Sequence, residues 1–452
     1  MLLLEEIFQV INDSGLNYCI QNKYEMMPEQ IPSDIDMMYK DVNEKFLDTL
    51  INTICKKTNG KLVQKYVQGF YQYSYILFYK NDCEKYFQIP LDFYRTISWK
   101  GYFNVMMAEE MLETKRFYKC FYVPDNYTEF KYMWIRRTIK DDLNAEHIDI
   151  AKQLYSINPE HYKTKLIEDF GKAAAEIAIQ CMQLESVKPF NENKDVFKAA
   201  VKKRAESNNT LMNKLLDKLF LVTKIFPRRI AYHCGISIAF LSPDGGGKTT
   251  IIHALNDYFD NMNIFDGVRN YYMRPQFLKN LGHYNKINPS KEESTNPDPH
   301  GKAMHSVQKS LIRFMFYNVD YVLGTLVKIW PHKLAKKLVI FDRYYYDYFV
   351  DLTRYQYSFS EAIPKAFRWM IPQPEMVFIL DAPSEVLYAR KQELTLDELK
   401  EQRIRFKQIP SMVPNAKMIN VDRPIEEIVD EIICCIVELQ EIRTWKIYRG
   451  VK

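Results

Sequence analysis

A glycine-rich loop carries the first residues that could do chemistry. The apolar run Ile236–Leu241 leads into the loop SPDGGGKTT, and a helix-like pattern follows. This spacing is typical of G-x-x-x-x-G-K-[ST] loops that hold nucleotide phosphates, with Ser242 in place of the first glycine. Lys248 would reach the β- and γ-phosphates of ATP, and the Thr249 hydroxyl would ligate Mg²⁺. The predicted cofactor-binding residues are Asp244, Gly245, Gly246, Gly247, Lys248, Thr249 and Thr250.

Asp342 and Arg343 stand together at the end of a second apolar run, KKLVIF. A carboxylate at the end of a buried strand suits Mg²⁺ or an acceptor hydroxyl, and a guanidinium can hold an anionic group with two hydrogen bonds. In isolation such a pair is typical of a surface ion pair, but its place downstream of a phosphate-binding loop favours a part in the reaction. Asp342 is therefore predicted to share the metal with Thr249. Lys248, Asp342 and Arg343 are predicted to be catalytic.

A third group of charges follows the strand-like run that ends at Asp381. Arg390 lies on a helix-like segment, and Arg403 lies in the polar stretch after it. Positive charge at such a place can close over ATP and stabilise the transferring phosphoryl group. The alternative is a solvated helix face with pairs such as Glu401–Arg405. Arg390 is predicted to be catalytic, whereas Arg403 fits the solvated face better.

Three carboxylates in the first hundred residues form a separate candidate metal site. Asp34 and Asp36 share one side of a strand-like segment because strand side chains alternate, and Asp92 lies on a later strand-like run. Their pattern resembles the metal triad of nucleotidyltransferase-fold domains, which implies bound divalent cations. The Gly-Ser or Gly-Gly pair that holds the triphosphate in that fold is missing from YCIQNKYEMMPEQIPSD. An active nucleotidyltransferase, an inactive relic of the fold and coincidental turn caps stay open, with the relic favoured.

The order of strand-like and helix-like segments indicates how these residues are positioned. The first 140 residues mix both patterns, residues 141–208 are helical, and strands alternate with helices from about residue 232 onwards. Such alternation predicts a parallel sheet flanked by helices, in the α/β class. Domains are expected at 1–140 (nucleotidyltransferase-like, α+β), 141–232 (helical segment and linker) and 233–452 (phosphate-loop domain). The five strands predicted for this last domain contain ISIAFL, VRNYYM, KLVIFD, MVFILD and KMINVD.

Composition excludes several classes of protein. The chain of 452 residues has a formal net charge of +5, an excess too small to indicate a nucleic-acid partner. The eight cysteines include no C-x-x-C pair, which predicts reduced thiols rather than a disulfide framework. The N-terminal MLLLEEIFQV lacks the basic residues of a signal peptide. The longest apolar run, around IAYHCGISIAFL, has about twelve residues, whereas a bilayer span takes roughly twenty. We expect a cytoplasmic protein without a transmembrane segment.

One segment of the chain, Leu211–Arg229, is basic and amphipathic. Such a segment could lie on a membrane surface. Its apolar stripe also suits packing between the two halves of the chain, which is the favoured interpretation.

The motifs of the C-terminal half, taken in order, resemble those of thymidylate kinase and its relatives. The matching segments are SPDGGGKTT, YYMRP, VIFDRYYYDY and FILDAPSEVLYARK, and the resemblance runs from about Gly235 to the end of the chain. It implies that Arg274 and Arg343 face the phosphate acceptor and that Asp342 organises the acceptor or the metal. It also implies that Arg390 approaches the lid over ATP.

The acceptor region departs from the thymidylate kinase pattern. The serine and the Tyr-Gln pair that this family places after its Asp-Arg are replaced by Asp347, Asp351 and Leu352, and Tyr355-Gln356 come one turn later. Residues Pro275–His300 form a long polar insertion. The predicted acceptor is therefore an anion other than thymidylate. The predicted substrate-binding residues are Arg274, Arg343 and Asp347.

Together these patterns predict an ATP- and Mg²⁺-dependent phosphotransferase. Its acceptor would be a nucleoside monophosphate or a sugar or glycan end group, with no nucleic-acid partner, and a homodimer is among the expected assemblies. The first alternative is a nucleotidyltransferase whose phosphate-loop domain is regulatory. A non-catalytic, nucleotide-switched interaction module is the second.

Overall fold

The structure, a computed structural model, describes residues 2–67, 72–81, 85–99, 102–279 and 303–450. Most of the predicted insertion Pro275–His300 therefore lies outside the described residues. The chain divides into two compact units, one formed by Met1–Arg228 with Glu441–Lys452 and the other by Arg229–Gln440. The expected division into three domains stays a prediction. No helix in the described ranges is long and apolar enough to cross a membrane.

The first unit contains a mixed five-stranded sheet in the order β1-β2-β5-β4-β3. Its strands are β1 (Asn17–Ile20), β2 (Ile35–Lys40), β3 (Lys61–Val67), β4 (Gln72–Lys80) and β5 (Tyr86–Tyr94). Two further pairs of strands form small separate sheets, β6 (Thr96–Trp99) with β7 (Tyr102–Met107) and β8 (Arg116–Tyr118) with β9 (Phe121–Val123). Strands β2 and β5 run parallel, and the other pairs in this sheet are antiparallel. The parallel pair sets Asp36 directly beside Asp92. The strand-like segments predicted to carry Asp36 and Asp92 are therefore confirmed as strands.

Helices cover this sheet and extend the first unit. They are α1 (Leu3–Asp13), α2 (Glu44–Thr58), α3 (Ala108–Leu112), α4 (Asn126–Lys140), α5 (Ala145–Ile157), α6 (Pro159–Phe170), α7 (Lys172–Gln183), α8 (Lys188–Glu192), α9 (Lys194–Ser207), α10 (Leu211–Phe220) and α11 (Phe226–Ala231). Helix α1 buries Leu4, Ile7, Phe8 and Ile11, which lie three and four residues apart and so share one face. A second core forms around Trp134, whose ring stacks on Phe197 with centroids 5.4 Å apart.

The amphipathic segment Leu211–Arg229 is helical, with a π-helical turn at Leu221–Ile225 between α10 and α11. Its apolar side chains Leu216, Leu219 and Phe226 are exposed. Arg228 pairs with Glu44 of helix α2 at 2.5 Å, which ties the end of the segment to the first unit. That this apolar face packs between the two halves of the chain stays a prediction.

The second unit contains a five-stranded, fully parallel sheet in the order β11-β12-β10-β13-β14. Its strands are β10 (Ile236–Leu241), β11 (Val268–Tyr272), β12 (Leu338–Asp342), β13 (Met376–Asp381) and β14 (Ala416–Asn420). These are the five strands expected from the sequence, so the parallel sheet is confirmed. The central strand β10 lies between β12 and β13, which places the reversal of strand order at its carboxyl end. Open α/β sheets bind ligands at such a point.

Helices separate the strands of the second unit, and a last helix follows β14 and ends in residues of the first unit, from Glu441 onwards. These helices are α12 (Lys248–Asp260), α13 (Val307–Gly324), α14 (Trp330–Leu334), α15 (Ala362–Phe367), α16 (Ser384–Arg390), α17 (Leu396–Met412) and α18 (Ile425–Gly450), with a π-helical turn at Thr325–Ile329 and 3₁₀ turns at Tyr345–Phe349, Thr353–Tyr355 and Arg368–Met370. Strand β10 is buried along its whole length. A buried central strand holds the loop that follows it on a rigid base.

Candidate active site

The glycine-rich loop joins the end of β10 to the first residue of α12. Gly245 and Gly247 have φ angles of +82° and +75°, which L side chains rarely adopt. A Cβ on Gly245 would stand 2.5 Å from the Leu387 carbonyl oxygen, and one on Gly246 would stand 2.6 Å from Ser242 Oγ. The glycines are therefore required by the backbone path and by the close approach of neighbouring atoms.

Lys248 folds back across this loop. Its Nζ donates a hydrogen bond to Ser242 Oγ at 2.7 Å, so the serine that replaces the expected first glycine gives the lysine an acceptor. Desolvation, followed by the nearby charge of Arg343, lowers the pKa of Lys248 to about 8. The ammonium group thus lies within the loop, close to where phosphate oxygens would sit.

Asp244, also in the loop, is bound by two arginines. Its Oδ1 accepts from Arg343 at 2.9 Å, and its Oδ2 accepts from Arg354 at 2.8 Å. Burial alone would raise the pKa of Asp244, but the two guanidinium groups outweigh burial and hold this pKa well below its usual range. Sequence reasoning missed Arg354, which lies 110 residues from Asp244 along the chain. Its only sequence signal is its place beside Tyr355-Gln356.

Asp342 ends β12 directly beside the loop. In the parallel register it is opposite Phe240 of β10, and the next residue, Arg343, turns the chain with a φ of +68° and donates its backbone N–H to the Phe240 oxygen at 2.9 Å. Asp342 Oδ1 is buried and has no hydrogen-bond partner among the described residues. Asp342 therefore offers an unsatisfied carboxylate oxygen near Lys248. Its negative charge acts to raise the pKa of Lys248, but desolvation outweighs this effect.

Arg343 also contacts Asp347, the predicted substrate-binding carboxylate. Arg343 Nη1 lies 2.6 Å from Asp347 Oδ2, and the Tyr355 hydroxyl donates to the same oxygen at 2.7 Å. Asp347 is 1% exposed, and its Oδ1 has no hydrogen-bond partner among the described residues. Arg343 thus links Asp244 of the phosphate-binding loop to Asp347.

Arg274 follows β11 and is held by a buried carboxylate. It forms an ion pair with Asp320 and donates to the Leu278 carbonyl oxygen at 2.8 Å. Asp320 also accepts from the backbone N–H groups of Leu278 at 2.6 Å and Gln276 at 3.1 Å. The guanidinium of Arg274 lies over the Tyr317 ring, 4.5 Å from its centroid. Arg274 therefore stabilises the turn after β11, and its predicted contact with the acceptor stays a prediction.

The arginines after β13 differ in their partners. Arg390 ends helix α16 with its Nη2 bonded to the Val421 carbonyl oxygen at 3.1 Å, and its Cβ lies beside Gly245 of the phosphate-binding loop. Arg403 instead donates two hydrogen bonds to Asp381, at 2.7 and 3.0 Å. Arg390 is therefore beside the loop, whereas Arg403 is held at the end of β13.

Asp36 and Asp92 lie side by side on the sheet of the first unit, whereas Asp34, expected on the same strand as Asp36, lies just before β2. Asp36 is half-buried, and its Oδ1 is buried with no hydrogen-bond partner among the described residues, whereas Asp92 accepts from Tyr94 at 3.3 Å. Desolvation, followed by the charges of Asp34 and Asp92, raises the pKa of Asp36 to about 6. Within the described ranges, no group of three or more His, Cys, Asp or Glu side chains is arranged to hold a metal ion. The second metal site at Asp34, Asp36 and Asp92 stays a prediction.

No protein-family model matches the chain. No curated protein matches it either. Among solved structures, the chain is similar to a thymidylate kinase from Ehrlichia chaffeensis, with 20% sequence identity and a TM-score of 0.31 over 45% of this chain and 98% of that chain. A likeness at this level assigns no function, so function has to be inferred from the geometry of the site.

Proposed function

We propose that the chain is an ATP- and Mg²⁺-dependent phosphotransferase, which moves the γ-phosphate of ATP to a small anionic acceptor. The phosphate-binding loop carries this proposal. Its glycines expose backbone N–H groups, helix α12 begins at Lys248, and the helix N-terminus adds roughly half a positive charge at that point. A loop with this chemistry at the carboxyl end of a central parallel strand suits the phosphates of a nucleotide.

Asp342 and Thr249 suit the Mg²⁺ that such a reaction needs. The buried, unpartnered Oδ1 of Asp342 costs free energy unless a ligand satisfies it. Thr249 is exposed in the first turn of α12, so its hydroxyl is accessible. Mg²⁺, when bound, would supply positive charge that offsets the charge of the nucleotide phosphates. The Asp342 carboxylate and the Thr249 hydroxyl would hold it there.

The other side chains of the site position charge. Lys248, released from Ser242, would donate to the β- and γ-phosphate oxygens, and its positive charge would stabilise the charge that develops on the transferring group. Arg343 would hold Asp244 and Asp347 in a fixed relation, so the loop and the acceptor region stay aligned. Asp347 Oδ1 would accept a hydrogen bond from a hydroxyl of the acceptor.

Label transfer tests this function. The full chain would be incubated with Mg²⁺ and γ-labelled ATP against nucleoside monophosphates, sugars and sugar phosphates, and we expect label in an anionic acceptor. Thymidylate should be a poor acceptor, with kcat/KM below about 10⁴ M⁻¹s⁻¹, the low end for an enzyme on its own substrate. A higher value would show that the displaced acceptor motif does not matter. A chain that binds no ATP would contradict the proposal as a whole.

The nucleotidyltransferase alternative has one observation in its favour, the placement of Asp36 directly beside Asp92. Two adjacent carboxylates can bind the cations of nucleotidyl transfer. ATP labelled at the α-phosphate separates the two functions. Label that enters the product from the α-phosphate, and that depends on Asp36, would favour the alternative.

A further inference from the structure

The arginines expected to hold the acceptor's charge are already ion-paired. Arg274 is bound by Asp320, and Arg343 is bound by Asp244 and Asp347. Each guanidinium is therefore neutralised by at least one buried carboxylate of the chain itself. An anionic acceptor gains less from a cation that already has a partner, because the ion pair must first be weakened.

Arg313 of helix α13 has different surroundings. Its guanidinium lies over two aromatic rings, 5.5 Å from the centroid of Tyr317 and 6.0 Å from that of Tyr357. Its Nη1 contacts His305 Nε2 at 2.9 Å and Gln356 Oε1 at 3.5 Å, and both are neutral partners. Its Nε is buried and has no hydrogen-bond partner among the described residues. In those residues Arg313 also makes no ion pair with a carboxylate.

His305 does not neutralise this charge. Desolvation, followed by the charges of Lys309 and Arg313, lowers the pKa of His305, so the ring is neutral at pH 7 and its Nε2 accepts from Arg313. The backbone holds the ring in place, because His305 N–H donates to the Gln356 carbonyl oxygen at 3.1 Å and Ser358 Oγ donates to the His305 carbonyl oxygen at 2.5 Å. The guanidinium of Arg313 therefore keeps a full, uncompensated positive charge in an aromatic setting.

Two consecutive residues, Tyr355 and Gln356, connect Arg313 to the proposed acceptor site. Gln356 contacts Arg313, and the preceding residue, Tyr355, donates to Asp347. The rings also form a continuous path, since Tyr348 lies 4.8 Å from Tyr355 and 5.5 Å from Tyr357 between ring centroids. A molecule bound at Asp347 could therefore extend a charged group toward Arg313.

We propose that Arg313 binds the oxyanion group of the acceptor, a phosphate or a carboxylate, through its unpartnered Nε and the adjacent Nη2. These two N–H groups form a planar fork that matches two oxygens of such a group. Aromatic neighbours keep the local dielectric low, which strengthens the attraction. This inference rests on the proposed phosphotransfer and replaces Arg274 with Arg313 as the main anion-binding side chain.

Oxyanion titration of the full-length protein tests the inference. The protein is first saturated with Mg²⁺ and a non-hydrolysable ATP analogue, so that the phosphate-binding loop is occupied. Inorganic phosphate and, separately, acetate are then titrated by calorimetry. We expect Arg313→Gln to weaken binding of at least one of them about tenfold or more, the size expected when a charge-assisted bond is lost. Arg313→Lys should retain part of the affinity because it keeps the charge.

The control is Arg269→Gln, which removes the same charge from an exposed arginine of β11 that donates to the backbone carbonyl oxygen of Val268. It should bind both anions like the wild type, and thermal melting should show that all variants fold. The inference is overturned if Arg313→Gln binds the anions as tightly as the wild type does, or if the wild type binds neither anion. In both cases the phosphotransfer proposal stands as long as the wild type binds the ATP analogue. If the wild type does not bind the ATP analogue, the phosphotransfer proposal is contradicted instead. The difference in anion affinity between wild type and Arg313→Gln then still shows whether Arg313 binds an oxyanion.

Discussion

The two carboxylate clusters of the chain differ in their neighbouring charges, so the pKa values of Asp244 and Asp36 move in opposite directions. Around Asp244, the guanidinium groups of Arg343 and Arg354 hold the pKa of the carboxyl well below its usual range. Around Asp36, the nearest strong influences are burial and the two carboxylates Asp34 and Asp92, and its pKa rises to about 6. Arginines thus compensate the carboxylate in one unit, whereas in the other unit the carboxyl group binds its proton more tightly than usual.

This difference indicates which ligands each cluster favours. In the second unit, Asp244 is already neutralised, so the charge of Lys248 remains for an anion such as a nucleotide phosphate. In the first unit, the clustered acids Asp34, Asp36 and Asp92 repel anions and would favour a cation or a proton. Phosphotransfer therefore fits the second unit better than the first. The predictions below test this contrast, from the largest expected effect to the smallest.

Replacing Lys248 by alanine should have the largest effect. Loss of the ammonium removes the charge that the β- and γ-phosphates meet, so phosphoryl transfer should fall about 10³-fold or more with little change in folding. Single-turnover transfer from γ-labelled ATP measures the loss. Lys400→Ala is the matched control, since Lys400 lies in an exposed pair with Asp397. Retention of more than about a tenth of the activity would remove the loop from the mechanism.

The second prediction concerns pH and Asp36. Because its pKa is raised from 3.8 in the unfolded chain to about 6 in the folded one, the folded state binds the proton more tightly. The stabilising contribution is therefore fully present below about pH 4 and is lost as pH rises through 6, a loss of about 3 kcal/mol at 1.36 kcal/mol per unit. Urea unfolding of wild type and Asp36→Asn in EDTA measures it as the difference between the two pH profiles. If the free energies of unfolding of the two proteins changed with pH in the same way, the pKa of Asp36 would not be raised in the folded state.

The third prediction concerns Arg354, which compensates Asp244. Arg354→Met leaves one oxygen of Asp244 without its partner close to the γ-phosphate position, so kcat/KM for ATP should fall roughly 10- to 100-fold. Adding Asp244→Asn should recover part of the loss, because the uncompensated charge is then gone. Arg405→Met, which removes an arginine bonded to the Val350 carbonyl oxygen, is the control. Strictly additive losses in the double variant would argue against compensation.

The smallest effect is expected in the first unit. The double variant Asp34→Ala with Asp36→Ala should leave γ-phosphoryl transfer within about twofold of wild type, since these carboxylates and the phosphate-binding loop belong to different units of the chain. The measurement is steady-state transfer with the acceptor found by screening. Abolished turnover with intact ATP binding would place the chemistry in the first unit.

Local patterns in the sequence determined the framework of the second unit. The alternation of five strand signals with helix-length segments predicted the parallel sheet. The three central strands are almost entirely apolar because they are buried on both faces. The spacing of SPDGGGKTT between a strand and a helix predicted the phosphate-binding loop, because only glycine adopts the positive φ angles at Gly245 and Gly247 without strain. These features depend on residues that are neighbours in the chain, and so they can be read from it.

The partners of the charged side chains were decided only by the tertiary structure. Sequence reasoning assigned Arg274 and Arg343 to the acceptor, but Asp320 lies 46 residues from Arg274, and Arg343 lies 99 residues from Asp244. Nothing local in the sequence distinguishes an arginine that meets a carboxylate from Arg313, whose buried Nε meets none among the described residues. Burial and strand order bring distant residues together, and the strength of an electrostatic interaction depends on that arrangement. Residue types are set by the sequence, but which charges remain for a ligand depends on the fold.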